Sequence, residues 1–136
     1  MSGGAAATQW KRERALKVLQ TAVDSVKMAS ADAKIVVMGD MNSAPQENLT
    51  GLKNRMIPMV GCPPYGTEKY HGQWTYLDQF YLTENLQAAA SVFAPDWLLE
   101  EDTRYLGNKP KRTYMGYRWQ NGYSDHLPIV LRIHLR

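Results

Sequence analysis

The segment that most limits the fold is Ile35-Val36-Val37-Met38, an apolar, mostly β-branched run with no polar alternation. A strand of that composition is apolar on both faces, which predicts a place in the interior of a sheet with packing above and below it. Ser30-Ala31-Asp32-Ala33 leads into it as a turn, and Gly39-Asp40-Met41-Asn42 ends it, with Pro45 soon after. Such a sheet needs a cover. Thr8 to about Met28 offers one, because Ala15, Val18, Leu19, Ala22, Val23 and Val26 recur at helical spacing and form a single apolar stripe. Lys11, Arg12, Glu13, Arg14, Lys17, Gln20 and Asp24 fall mostly off that stripe, and Thr8 is placed to cap the helix.

The rest of the chain reads as follows. Gln46 to Val60 is expected as a short helix with a turn, and Gly61 to Gly72, rich in Gly and Pro, as loop. Gln73 to Thr83 is a second strand, in which Tyr76, Phe80 and Leu82 share a face with Asp78. A carboxylate among such neighbours is costly unless it is paired or hydrogen-bonded. Ala88 to Phe93 is a further strand, followed by a turn at Ala94-Pro95-Asp96. Glu100 to Gly122 is a long polar stretch interleaving Lys109, Lys111, Arg112 and Arg118 with Tyr105, Tyr114, Tyr117 and Trp119; a loop of that length is usually functional or disordered. Pro128 to Leu135 alternates Ile129, Leu131, Ile133 and Leu135 against Val130, Arg132 and His134, as a strand near a sheet edge does.

A length of 136 residues accommodates one domain with a modest core. The net charge of +3 permits a phosphate-bearing partner without requiring one. The lone cysteine, Cys62, excludes an intrachain disulfide. No apolar run is long enough to span a bilayer, and the N-terminal residues do not form a secretory signal. Nothing here assigns a compartment.

Chemistry concentrates in three places. Asp40 and Asn42, two residues apart at the end of a strand, can present a carboxylate and an amide to one object. Gly, Asp and Asn are also common in strand-end turns for conformational reasons alone. Asp78, preceded by Trp74, is an acid in need of a partner. Ser124-Asp125-His126 lies just before the last strand: Asp125 can turn oxygens to a hard cation, and His126, which titrates near neutrality, needs an orienting carboxylate. The needs of Asp78 and His126 fit each other. His71 and His134 read as surface residues, and Cys62 beside Pro63-Pro64 as turn packing.

In order, Val36-Val37-Met38-Gly39-Asp40-Met41-Asn42, Trp74-Thr75-Tyr76-Leu77-Asp78-Gln79-Phe80 and Tyr123-Ser124-Asp125-His126-Leu127-Pro128 resemble the last three motif blocks of the endonuclease/exonuclease/phosphatase superfamily, which has the deoxyribonuclease-I-like fold. Lys111-Arg112-Thr113-Tyr114-Met115-Gly116-Tyr117-Arg118 looks like a bacterial branch of it. The resemblance implies an α/β (α+β) sandwich, half of a four-layer β-sandwich flanked by helices. It implies a metal-dependent phosphoester hydrolase in which water attacks phosphorus with Mg2+, or Mn2+ in its place. Asp40 would position and deprotonate the water, and Asn42 would contact the phosphate. Asp78 would hold His126, and His126 would stabilise developing charge. Asp125 would join Asp40 around the metal, and Trp74, Arg112 and Tyr117 would contact substrate beside Asn42.

The superfamily domain runs to about twice this length, with an early Asn and a metal-binding Glu in its first half. The chain is therefore expected to be a C-terminal half, completed by a longer parent chain or a second polypeptide. Two other expectations remain open: a non-catalytic module binding phosphate or nucleic acid through the basic-aromatic stretch, and an inert fragment.

Overall fold

A computed structural model of the chain describes residues 8–43, 51–54 and 65–134. The helical stripe forms α1 (Gln9–Ala29), and the apolar run forms β1 (Val36–Asp40). Thr8 occupies the N-cap position but makes no capping bond from its side chain; its hydroxyl instead accepts from Arg12 Nη1 at 2.8 Å. β2 (Lys53–Asn54) and β5 (Asp78–Leu82) complete a sheet in the order β1-β5-β2, antiparallel throughout.

Strand β5 is the centre of the molecule, and its period of two sorts the core into halves. Phe80 and Leu82 point to one side. There they pack with Leu86 and Ala90 and meet Ala88, Val92, Ile129 and Leu131. The last four residues belong to β6 (Gln87–Val92) and β11 (Ile129–His134), which form an antiparallel ribbon lying across that face. Tyr81 points to the opposite side, where Val23 of α1 and Leu52 close over it with Ile35, Val37 and Met41. The layers are thus helix, sheet and ribbon, an α+β arrangement compatible with a sandwich. Burial of a side chain such as Leu82, with no exposed surface, contributes about 1.5–3 kcal/mol.

Several expectations are corrected. The apolar run predicts a strand interior to its sheet, but among the described residues β1 pairs with β5 alone and so lies at the edge. Its apolar run reflects cover above and below, not neighbours on both sides: Val36 meets the ribbon and Val37 the helix, while Met38 is exposed. The helix expected over Gln46–Val60 falls largely outside the described residues; the described part, 51–54, holds the buried Leu52 and strand β2. Cys62 also lies outside them.

The stretch Gly61–Gly72 contains β3 (Glu68–Tyr70), paired with β4 (Gln73–Thr75) in a hairpin turning at His71-Gly72. The strand expected over Gln73–Thr83 is consequently two strands, β4 and β5, broken at Tyr76-Leu77. A 3₁₀ turn at Asp96–Leu98 follows β6. The long polar stretch is not a structureless loop. It folds as two antiparallel pairs, β7 (Leu99–Glu101) with β8 (Asn108–Pro110) and β9 (Tyr114–Met115) with β10 (Arg118–Trp119). Polar composition hid these strands because their outer faces meet solvent. His71 and His134 are exposed, as expected. No helix among the described residues is long and apolar enough to cross a membrane.

Candidate active site

The end of β1 is shaped by backbone conformation. Gly39 has φ +151°, which an L side chain rarely adopts, and Asn42 has φ +50°, in the left-handed region that Asn tolerates better than most residues. The chain therefore curls back on Asp40. Asn42 donates its backbone N–H to Asp40 Oδ1 at 2.8 Å and its side-chain amide to Oδ2 at 3.0 Å. Both oxygens of Asp40 are oriented by one residue, so the conformational and chemical reasons for Asn42 coincide.

This turn is tied to β5. Met41 N–H donates to Leu77 O at 2.7 Å. The fully buried Gln79 donates its amide to Ser43 O at 2.6 Å and Tyr76 O at 2.9 Å, and its own oxygen accepts from Tyr81 Oη at 2.7 Å.

Pairing of β1 with β5 sets Asp40 and Asp78 as direct cross-strand partners. Like charges in that relation repel. The third group that answers the repulsion is His126, whose Nδ1 lies 2.6 Å from Asp78 Oδ2. An ionised carboxylate only accepts, so Nδ1–H donates. Both side chains are about four-fifths buried, His126 at 23% exposure and Asp78 at 19%. Burial of the imidazole pushes its pKa down; the hydrogen bond and charge of Asp78, with the charges of Asp125 and Asp40, outweigh it and raise the pKa above 6.5. Ligand atoms of Asp40, Asp78 and His126 all lie within 4.8 Å of one another.

His126 is set by its own segment. Its backbone N–H donates to Ser124 Oγ at 3.1 Å, it bridges to Glu68 of β3, and the next residue, Leu127, is buried and donates to Thr67 O at 2.7 Å.

The structure thus brings Asp40, Asn42, Asp78 and His126 together. Asp125 is exposed beside them, close enough for its charge to act on the ring. Trp74, Arg112 and Tyr117 carry no hydrogen bond to this group. Trp74 is half-buried on β4 against the Tyr65 ring, with centroids 5.1 Å apart. Arg112 donates to Lys69 O at 3.1 Å and lies 3.8 Å from Glu68 Oε1, so its guanidinium is engaged with β3. Tyr117 is fully exposed in the turn joining β9 to β10.

Sequence reasoning missed Gln79 and Thr67. Gln79 carried a signal, being a polar residue on the Tyr81 face of an otherwise apolar strand; Thr67, inside a stretch read as loop, carried none.

Two carboxylates and an imidazole converging at the end of a sheet can hold a hard cation, orient water and move a proton. No curated protein and no solved structure matches the chain. Residues 1–135 match the Endonuclease/Exonuclease/phosphatase family, a generally hydrolytic and typically metal-dependent group acting on phosphoesters, and the chain belongs to that family.

Proposed function

We propose that the protein is a magnesium-dependent phosphoester hydrolase that directs water onto phosphorus at the Asp40–Asp78–His126 cluster. The observation that carries this reading is the convergence itself. Asp40 and Asp78 oppose each other across two strands, and His126, 48 residues further on, bonds Asp78 at 2.6 Å.

The donor set fits a hard cation. Carboxylate oxygens suit Mg2+, which is commonly bound by one or two protein carboxylates, with Mn2+ as a substitute. Asp78 is committed to His126, which leaves Asp40, with the exposed Asp125, to hold the metal. When bound, it supplies positive charge for phosphoryl oxygens.

The chain's own residues do the rest. Asp40, held by two donors from Asn42, orients the attacking water and takes its proton as the new bond to phosphorus forms and the ester P–O bond breaks. The second amide hydrogen of Asn42 is suited to a phosphoryl oxygen. Asp78 fixes the imidazole and favours its charged form, so that His126 opposes the negative charge gathering on the phosphoryl group. Trp74, Arg112 and Tyr117 would contact the substrate beside Asn42.

Hydrolysis of bis(p-nitrophenyl) phosphate with Mg2+ tests this. Activity should vanish with EDTA and fall by about two orders of magnitude in His126→Ala. A His126→Ala rate equal to that of the unmodified protein removes the histidine from the mechanism. Mn2+ should independently broaden the Asp40 and Asp125 amide resonances before others, whatever the rate.

A further inference from the structure

Thr67 is buried without exposed surface at a junction of three segments. Its hydroxyl accepts the N–H groups of Leu77 at 3.0 Å and Asp78 at 3.2 Å, and sits 3.4 Å from Thr75 O. Its own N–H donates to Thr75 O at 2.7 Å, and its carbonyl accepts from Leu127 N–H at 2.7 Å. The preceding Gly66 presses so close to Thr75 that a Cβ there would stand 2.2 Å from the carbonyl oxygen. The following Glu68 bridges to His126. One residue therefore contacts the backbone of Asp78 on one side and the segment carrying His126 on the other.

The hydroxyl has a specific task. Where β4 breaks and β5 begins, the N–H groups of Leu77 and Asp78 converge on a single oxygen. A buried N–H must find an acceptor, and without one the backbone shifts to seek it. A rotation of Asp78 about its backbone would carry its carboxylate away from a partner it meets at 2.6 Å.

We propose that Thr67 is the positioning residue of the site: its hydroxyl fixes the strand break that aims Asp78, and its carbonyl anchors the segment that presents His126. This rests on the functional reading of the Asp78–His126 pair given above, and the test separates the two.

The readout is the imidazole Nδ1 proton of His126. In a short bond to a carboxylate it gives a downfield, slowly exchanging resonance, which general packing does not create. Asp78→Asn should abolish that resonance; if it survives, the pairing of Asp78 with His126 is refuted. Thr67→Val keeps the shape and removes the acceptor. In a folded Thr67→Val, Nδ1 proton exchange should quicken by about tenfold or more, with Thr67→Ser restoring the unmodified behaviour. An unchanged resonance in Thr67→Val, with Asp78→Asn still abolishing it, overturns the role of Thr67 and leaves the pair standing. If Thr67→Val does not fold, Thr67→Ser decides alone. It retains the hydroxyl and loses only a methyl group, so a retained resonance at a lowered Tm supports the proposal and a lost resonance overturns it.

Discussion

Asp78→Asn should change stability in a way that depends on pH and reverses the usual expectation for a broken pair. In the folded protein His126 holds its proton more tightly than in the unfolded chain, where the ordinary value of 6.5 applies. The stabilisation is therefore fully present below pH 6.5 and is lost as pH rises through the higher folded-state value. A hydrogen bond to a charged group is worth about 1.5–3 kcal/mol. The side chains of His126 and Asp78 remain 23% and 19% exposed, so water screens part of it. A loss of about 1–2 kcal/mol is expected in acid, lowering Tm by roughly 3–10 °C. Once the ring is neutral, the ionic part of the pair disappears, while Asp40 and Asp78 still face each other as like charges across β1 and β5. Removing one charge then relieves repulsion. The gap in Tm should shrink and close, or change sign, in alkali. Thermal unfolding followed by circular dichroism in EDTA, from about pH 5 to about pH 9, spans the transition. A gap that stays constant across that range would refute the coupling between the imidazole charge and Asp78.

Leu82→Ala empties the side of β5 facing the ribbon and should cost about 2–5 kcal/mol, measured by urea unfolding; a loss under about 1 kcal/mol would contradict the packing described. Asp102→Asn leaves the buried Lys69 ammonium, 2.9 Å from Asp102 Oδ2, without its counter-charge, whereas Glu84→Gln breaks the exposed pair with Lys53. Thermal melts should show a clear loss in the first and almost none in the second, and equal shifts would count against the burial argument. Gly66→Ala pushes a methyl group into Thr75 O, and should lower Tm and increase amide exchange at Leu77 and Asp78; unchanged exchange would show that the close approach is not needed.

The elements visible in the sequence were those with strong local periodicity. α1 declared itself through residues three and four apart, and β5 and β11 through alternation. The cluster was legible because its members lie at strand ends, Asp40 and Asn42 at the close of β1, Asp78 at the start of β5 and His126 just before β11, and because the local sequence offers Asp78 and His126 no other partner. What escaped was set by distant pairing. Nothing in Ile35-Val36-Val37-Met38 reports how many strands lie beside it, and nothing in Glu68-Lys69-Tyr70 reports that Gln73-Trp74-Thr75 returns against it. Lys69 was hidden for a related reason: a lysine in a Gly- and Pro-rich stretch reads as solvated, yet its ammonium is buried between Asp102 and Leu106 O. The helix stripe was over-read in the other direction, since Val18 and Val26 lie on it and are exposed while Val23 alone among its residues is buried.

Of the two hairpins of residues 99–119, the first is pinned at its turn, where Lys69 holds both Asp102 and Leu106 O, and the second is exposed at its turn. Lys111 N–H bonds Leu98 O at 2.8 Å, Tyr123 N–H returns to Lys111 O at 2.7 Å, and Lys69 grips Asp102 from the strand that also borders His126. Met115 and Tyr117, by contrast, project into solvent. Selection can therefore rewrite the turn between β9 and β10, altering what docks there, with little disturbance to the imidazole. A change at Lys69, Asp102 or Arg112 would travel inward along β3 and reach the reacting groups, so tolerance to substitution should be low at the turn of the first hairpin and high at that of the second.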